Sequence, residues 1–169
     1  LRYLHRHGVF HRGVKPANLL VHKSSLLRLV DFGLAVEVGS QDRITRAGSA
    51  FGTVAYAPPE WIRPNELTPK AWDIYALGVV MYEMLTGSIA FPGGDGANAR
   101  QAAVAVMAAK QQVEALDPGE GVPEGLRALV RSLTARDLSK RITEARAVIA
   151  ELQRLQTELR VDANTILAS

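Results

Sequence analysis

His11-Arg12-Gly13-Val14-Lys15-Pro16-Ala17-Asn18 and Asp31-Phe32-Gly33 are the two stretches on which the reading of this sequence turns. Between them lie two short apolar runs, Asn18–Val21 and Leu26–Val30, separated by His22-Lys-Ser-Ser25. Such runs around a polar break predict a small hairpin. Asn18 opens its first strand and Asp31 follows its second. The pairing therefore allows an amide oxygen and a carboxylate to converge on one hard cation. Mg2+ takes a few oxygen ligands and leaves other positions for water and phosphate. Lys15 would then neutralise phosphate charge. Read singly, the residues say less: His11 suits a packed, hydrogen-bonded histidine and Asp31 a turn former.

Outward from this centre the chain is helical. Leu1 and Leu4 share a face of a helix ending at His7, and Gly8 is a natural stop. A chain that opens with Leu1, inside an element, is expected to be a fragment or a truncated product. Residues 31–60 form a long loop of the kind that carries function. Thr68-Pro69 reads as an N-cap with Pro in the first helical position. Ala71–Thr86 is apolar on nearly every face, which predicts a buried helix ended by Gly87. Ala97–Gln112, Pro123–Thr134 and Thr143 to about Arg160 are three more helices. The second of these carries the stripe Leu126, Leu129, Val130 and Leu133, and the last turns Val148, Ile149, Leu155 and Leu159 inward. The expected fold is mainly α with a small β-hairpin, one domain over 1–160, and an unassigned tail over 161–169.

Composition bounds the function. The chain has 169 residues, 47% hydrophobic and 22% charged, with no cysteine and a net charge of +3. That is ordinary globular composition and too apolar for a disordered chain. Without cysteine there is no disulfide framework and no thiolate metal site, as suits a reducing, cytoplasmic setting. The longest apolar stretch, Ile74–Tyr82, is far short of the ~20 residues that span a bilayer. No signal-peptide pattern is visible, and +3 is too small a charge to argue for nucleic acid.

Taken together and in order, the motifs resemble the protein kinase family, Ser/Thr branch. His11-Arg12-x-Val14-Lys15-Pro16-x-Asn18 resembles the catalytic loop, Asp31-Phe32-Gly33 the metal-binding motif, and Pro58-Pro59-Glu60 the end of the activation segment. Gly52-Thr53-x-x-Tyr56 precedes that end. Asp73-Ile-Tyr-Ala-Leu-Gly78 is similar to the start of the central buried helix, and Arg141 to the arginine that pairs with Glu60. The resemblance implies the C-terminal lobe of the kinase-like fold and its roles. Asn18 and Asp31 would hold Mg2+ on the phosphates of ATP, and Lys15 would touch the transferred phosphate. Thr53 would order the catalytic and substrate loops. Arg12 would receive a phosphorylated Thr45 or Ser49. His11, Phe32, Asp73, Glu60 and Arg141 would be structural. The implied partner is a protein substrate or another protein.

The sequence departs from the family where the chemistry is sharpest. Gly13 stands where the family has the Asp that orients the substrate hydroxyl and accepts its proton. No neighbour in the loop is a carboxylate. Pro58 replaces the usual Ala, and Asp137-Leu138 the usual Asp-Pro. The N-terminal lobe, with its Gly-rich loop and strand lysine, is expected to be missing. Gly94-x-Gly96-x-x-Ala99 formally matches a dinucleotide fingerprint, but no strand precedes it, and it reads as a loop before a helix. The sequence thus predicts a Ser/Thr kinase piece that is inactive as given, with weak ATP binding or none. The alternative is a pseudokinase-type binding module or a decayed gene product.

Overall fold

The computed structural model describes residues 1–23, 27–31, 54–63, 65–66, 68–93 and 98–167, and side chains up to residue 160. Phe32, Thr45, Ser49, Thr53 and the Gly94–Gly96 stretch lie outside the described residues. The order is helix α1 (Arg2–Arg6), strands β1 (Leu19–Val21) and β2 (Leu27–Leu29), and helices α2 (Pro69–Thr86), α3 (Ala99–Gln112), α4 (Glu124–Thr134) and α5 (Ala145–Leu167). Short 3-10 turns at Pro16–Asn18, Pro59–Ile62 and Leu138–Lys140 join them. Mainly α with one small hairpin is the architecture that the patterning predicts.

The central helix α2 begins and ends as its sequence dictates. Thr68 Oγ1 accepts from the Ala71 N–H at 3.4 Å, and Pro69 fills the first helical position, where no N–H is needed. At the other end Gly87 adopts φ +67, and its N–H donates to Glu83 O at 2.9 Å. Between the caps, nine of the eighteen residues are buried, among them Trp72, Asp73, Ile74, Tyr75 and Val79. One face of α2 joins Trp61, Phe91, Val106 and Met107 in the larger apolar cluster. Ile74 packs with Leu129, Leu133, Val148 and Leu155 in a second cluster. Burial on two sides explains why this helix shows no amphipathic stripe.

The other elements shift slightly from expectation. Helix α3 starts at Ala99 rather than 97, because Asn98 and Gln101 form a reciprocal capping box. The Gln101 N–H donates to Asn98 Oδ1 at 2.9 Å, and the Asn98 N–H to Gln101 Oε1 at 3.3 Å. On α5, Val148 and Leu155 are buried as expected, but Leu159 is 38% exposed, as is Leu152. Both line an open groove with Leu126 of α4, so these apolar positions are only partly covered among the described residues. The same helix continues through residues 161–167, which the sequence left without assignment.

Helices α2 and α4 touch at Gly78. A Cβ there would lie 2.7 Å from both Leu133 Cβ and Thr134 Cγ2. Glycine inside a helix costs about 0.5–1 kcal/mol relative to alanine, so its presence here reflects the close approach. Gly78→Ala is expected to destabilise the fold by about 1–3 kcal/mol through overpacking, in spite of the better helix propensity. Urea denaturation measures this; an unchanged or higher midpoint would show that the two helices separate without penalty.

Candidate functional site

The site is built by the turn before β1 and the end of β2. The hairpin register pairs Leu19 with Leu29 and Val21 with Leu27. One step further, the Val30 N–H donates to Asn18 O at 2.9 Å. Asp31 is thereby carried next to Asn18. The buried Asn18 amide donates to Gly13 O at 2.8 Å and to Asp31 O at 3.5 Å. With its N–H groups directed at backbone carbonyls, Asn18 keeps Oδ1 as its acceptor. Asp31 is exposed and sits at φ +57, a left-handed conformation that a non-glycine residue adopts only when its surroundings over-determine it.

The loop ahead of the hairpin hangs on Asp73 of α2. Asp73 is fully buried, and its carboxylate accepts the His11 N–H at 2.8 Å and the Arg12 N–H at 2.6 Å. His5 Nε2 of α1 is a third partner, at 2.9 Å. Arg12 is the second non-glycine residue with positive φ, at +57. His11, also fully buried, spans the loop and the hairpin: its Nδ1 accepts from the Gly13 N–H at 3.2 Å, and Nε2 faces Val30 O at 3.2 Å. That pair of contacts fits the neutral ring with its proton on Nε2. Gly13 is buried, and it is not among the described glycines with positive φ, which are Gly8, Gly87 and Gly119. Nothing in its backbone conformation requires a glycine. Lys15 is partly exposed and caps the Pro16–Asn18 turn, its carbonyl accepting from the Asn18 N–H at 3.0 Å.

A second polar assembly lies below this loop. Glu60 and Arg141 pair through two bonds, Nη1 to Oε1 at 2.6 Å and Nη2 to Oε2 at 2.9 Å, with both side chains at most 1% exposed. Arg141 Nε donates to Ala135 O at 2.6 Å and Nη2 to Arg136 O at 3.2 Å; the Tyr75 ring lies 5.1 Å from the guanidinium carbon. Nearby, Lys110 of α3 reaches the segment that leads into Pro58-Pro59-Glu60, donating to the carbonyls of Val54, Ala55 and Ala57. Tyr56 OH donates to Glu83 Oε2 at 2.8 Å, and burial together with that carboxylate pushes the phenol well above its ordinary range. The structure therefore brings His11, Arg12, Gly13, Asn18, Asp31 and Asp73 into one site and Glu60 with Arg141 into another. Sequence reasoning missed His5 and Lys110. The signal for Lys110 was present: it follows Ala103, Val106 and Met107 on the buried stripe of α3.

These features are those of a known domain. A family profile for the protein kinase domain matches residues 1–153. The chain belongs to the protein kinase family. It is similar to the serine/threonine-protein kinase PknL of Mycobacterium tuberculosis, 36% identical over 160 residues that make up 92% of this chain and 37% of that protein. It also resembles the probable serine/threonine-protein kinase PknB of Lactococcus lactis, 32% identical over 149 residues, or 88% of this chain and 23% of that protein. A third relative, the serine/threonine-protein kinase PknB of Mycobacterium leprae, is 29% identical over 170 residues, or 99% of this chain and 26% of that protein. The chain thus spans well under half the length of these relatives, and it sits in the Ser/Thr branch.

The buried Glu60–Arg141 pair gives a stability prediction. Arg141→Met leaves Glu60 as an uncompensated buried charge and is expected to cost about 3–5 kcal/mol. Glu60→Gln combined with Arg141→Met should cost less than the two single changes added together. Denaturant midpoints of the four proteins measure both; additive effects would mean that the two side chains do not act as a pair.

Proposed function

We propose that these residues are part of a Ser/Thr protein kinase domain whose reaction is switched off at position 13. The family's reaction moves the γ-phosphoryl group of ATP to a protein hydroxyl. The observation that carries the reading is Gly13, buried between His11 Nδ1 and the Asn18 amide. In that position the family has a carboxylate that aligns the hydroxyl and takes its proton, and glycine supplies neither. General-base catalysis contributes about 10²–10⁴-fold.

The remaining groups suit a metal and phosphate. Asn18 Oδ1 and the Asp31 carboxylate are oxygen donors on adjacent ends of one hairpin, and the exposure of Asp31 leaves room for phosphate and water oxygens. That donor set fits Mg2+, with Asn18 and Asp31 as the residues that would hold it. When bound, the ion neutralises charge on the phosphate oxygens. Lys15, at the head of the same turn, would add its charge there. Thr53 and the phosphate acceptors Thr45 and Ser49 keep the roles that the resemblance assigns, with Arg12 as the receiving cation. A cytoplasmic setting fits the cysteine-free sequence and the family's need for ATP.

A second reading, a pseudokinase-type module that binds a protein partner, draws on the same Gly13 and on the apolar groove between the Pro59–Ile62 turn and α3. Trp61, Ile62, Val104, Met107 and Ala108 line it.

The test is phosphoryl transfer. The 169-residue chain is expected to incorporate no label from Mg-ATP into a generic Ser/Thr protein substrate; incorporation above the enzyme-free control would overturn the reading. In the full-length gene product, Gly13→Asp should raise transfer by about 10²–10⁴-fold. If that product is already active with Gly13 in place, another group is the base and the argument from position 13 fails. If Gly13→Asp gains nothing, the binding-module reading takes precedence.

A further inference from the structure

An open groove runs along α5 beside the start of α4, away from the loop site. Leu126 of α4 and Ile149, Leu152, Leu155 and Leu159 of α5 line it. Leu155 is buried and sits against Gly125, where an added Cβ would run into Leu155 Cδ2. Glycine at 125 thus lets Leu155 sink towards α4 and form a floor. Leu152 and Leu159 stay 38% exposed along the groove. Apolar side chains left uncovered in one continuous patch, rimmed by polar ones, mark an interaction surface.

Three polar side chains share the groove, and they select its occupant. Gln153 and Gln156 lie along it, with Arg160 at its end. An acyl chain laid over the two glutamines would take water from their amides and return no hydrogen bond. A second copy of this chain, applied by the same face, would bring Arg160 no carboxylate. Glu151 and Glu158 lie about 180° and 160° around the helix from Arg160, at about 100° per residue. Both of them pair with Arg154. Arg160 itself makes no ion pair among the described residues. A peptide helix meets both demands: its side chains can partner the amides, and one carboxylate can meet the guanidinium.

We propose that the groove between α4 and α5 is a docking surface for an amphipathic helix of a partner protein. That helix would set apolar anchors spaced i, i+3 and i+7 on Leu152, Leu155 and Leu159, and an acidic residue on Arg160. The inference stands whether or not position 13 silences the reaction.

Leucine-methyl NMR on the whole chain tests it with two probes. One is an alanine-based helical peptide with leucines spaced i, i+3 and i+7 and a Glu flanking them at each end. The other carries Lys in place of both Glu. The Glu peptide should shift the Leu152 and Leu159 methyl signals saturably and bind about fivefold more tightly than the Lys peptide at low salt. Arg160→Glu should invert that preference, and Leu159→Ser should weaken both peptides. Both positions lie on the outer surface of α5, and the comparison of the two peptides on the wild-type chain needs no variant to fold. No saturable shift, equal binding of the two peptides, or shifts confined to leucines outside the groove would overturn the proposal. A chain that dimerises in sedimentation, with the same methyl signals moving on dilution, would make a second copy the occupant and overturn it equally.

Discussion

The carboxylate of Asp73 is the constraint on which the site depends. It is buried in the central helix, and it is held in place because α2 is held in place. A carboxylate with no access to water must find donors, and here it finds two consecutive backbone N–H groups and a histidine. Two amides aimed at one carboxylate force the chain at residues 11 and 12 into a tight path. Arg12 accepts a left-handed backbone as the consequence. Strain of that kind, about 1–3 kcal/mol, persists only where neighbours over-determine it. From that fixed point the chain turns through Pro16–Asn18 into β1, and the hairpin returns β2 so that Asp31 lands beside Asn18.

The same helix carries the second support. Tyr75 stands between two cations, the Arg141 guanidinium at 5.1 Å and the Lys110 ammonium at 5.2 Å. Both cations serve the segment that ends the long loop. Arg141 binds the Glu60 side chain, and Lys110 binds the carbonyls just before it. Buried charges are expensive unless each finds opposite charge or dipoles, and this cluster meets the requirement by sharing. Glu60 lies between them and pulls the Lys110 amine upward against its burial. Loop placement and core packing are one problem here, solved around one aromatic ring.

Much of this was legible in the sequence, for identifiable reasons. The ends of α2 were readable because Thr68-Pro69 and Gly87 each have one dominant conformational use. The hairpin was readable because its apolar runs are short and bounded, and with it came the meeting of Asn18 and Asp31. The Glu60–Arg141 pair came from the resemblance alone, since the two residues lie 81 positions apart and no local pattern joins them. Two features escaped. Lys110 interrupts an alanine-rich run, where a lysine usually points to water, and only the helical phase shows it on the inner stripe. His5 lies in a short helix whose face, marked by Leu1 and Leu4, says nothing of a polar partner, and its tie to Asp73 depends on how α1 is placed in the fold. Leu159 erred the other way: it has the right phase, but phase alone does not say how fully a neighbouring element covers it.

The loop's shape does not run through the side chain at position 13. The N–H of Gly13 donates to His11, its carbonyl accepts from Asn18, and Asp73 holds the two residues before it. The two bonds that residue 13 makes use its own N–H and carbonyl, which any residue but proline supplies. A change of side chain at position 13 therefore withdraws none of these bonds from the fold. Stability constrains His11, Asn18 and Asp73 through hydrogen bonds that would be orphaned by replacement. It places no such constraint on residue 13, whose side chain in the family acts on a substrate that is absent while the protein folds. Position 13 is thus a place in this loop whose side chain the described hydrogen bonds leave free to vary.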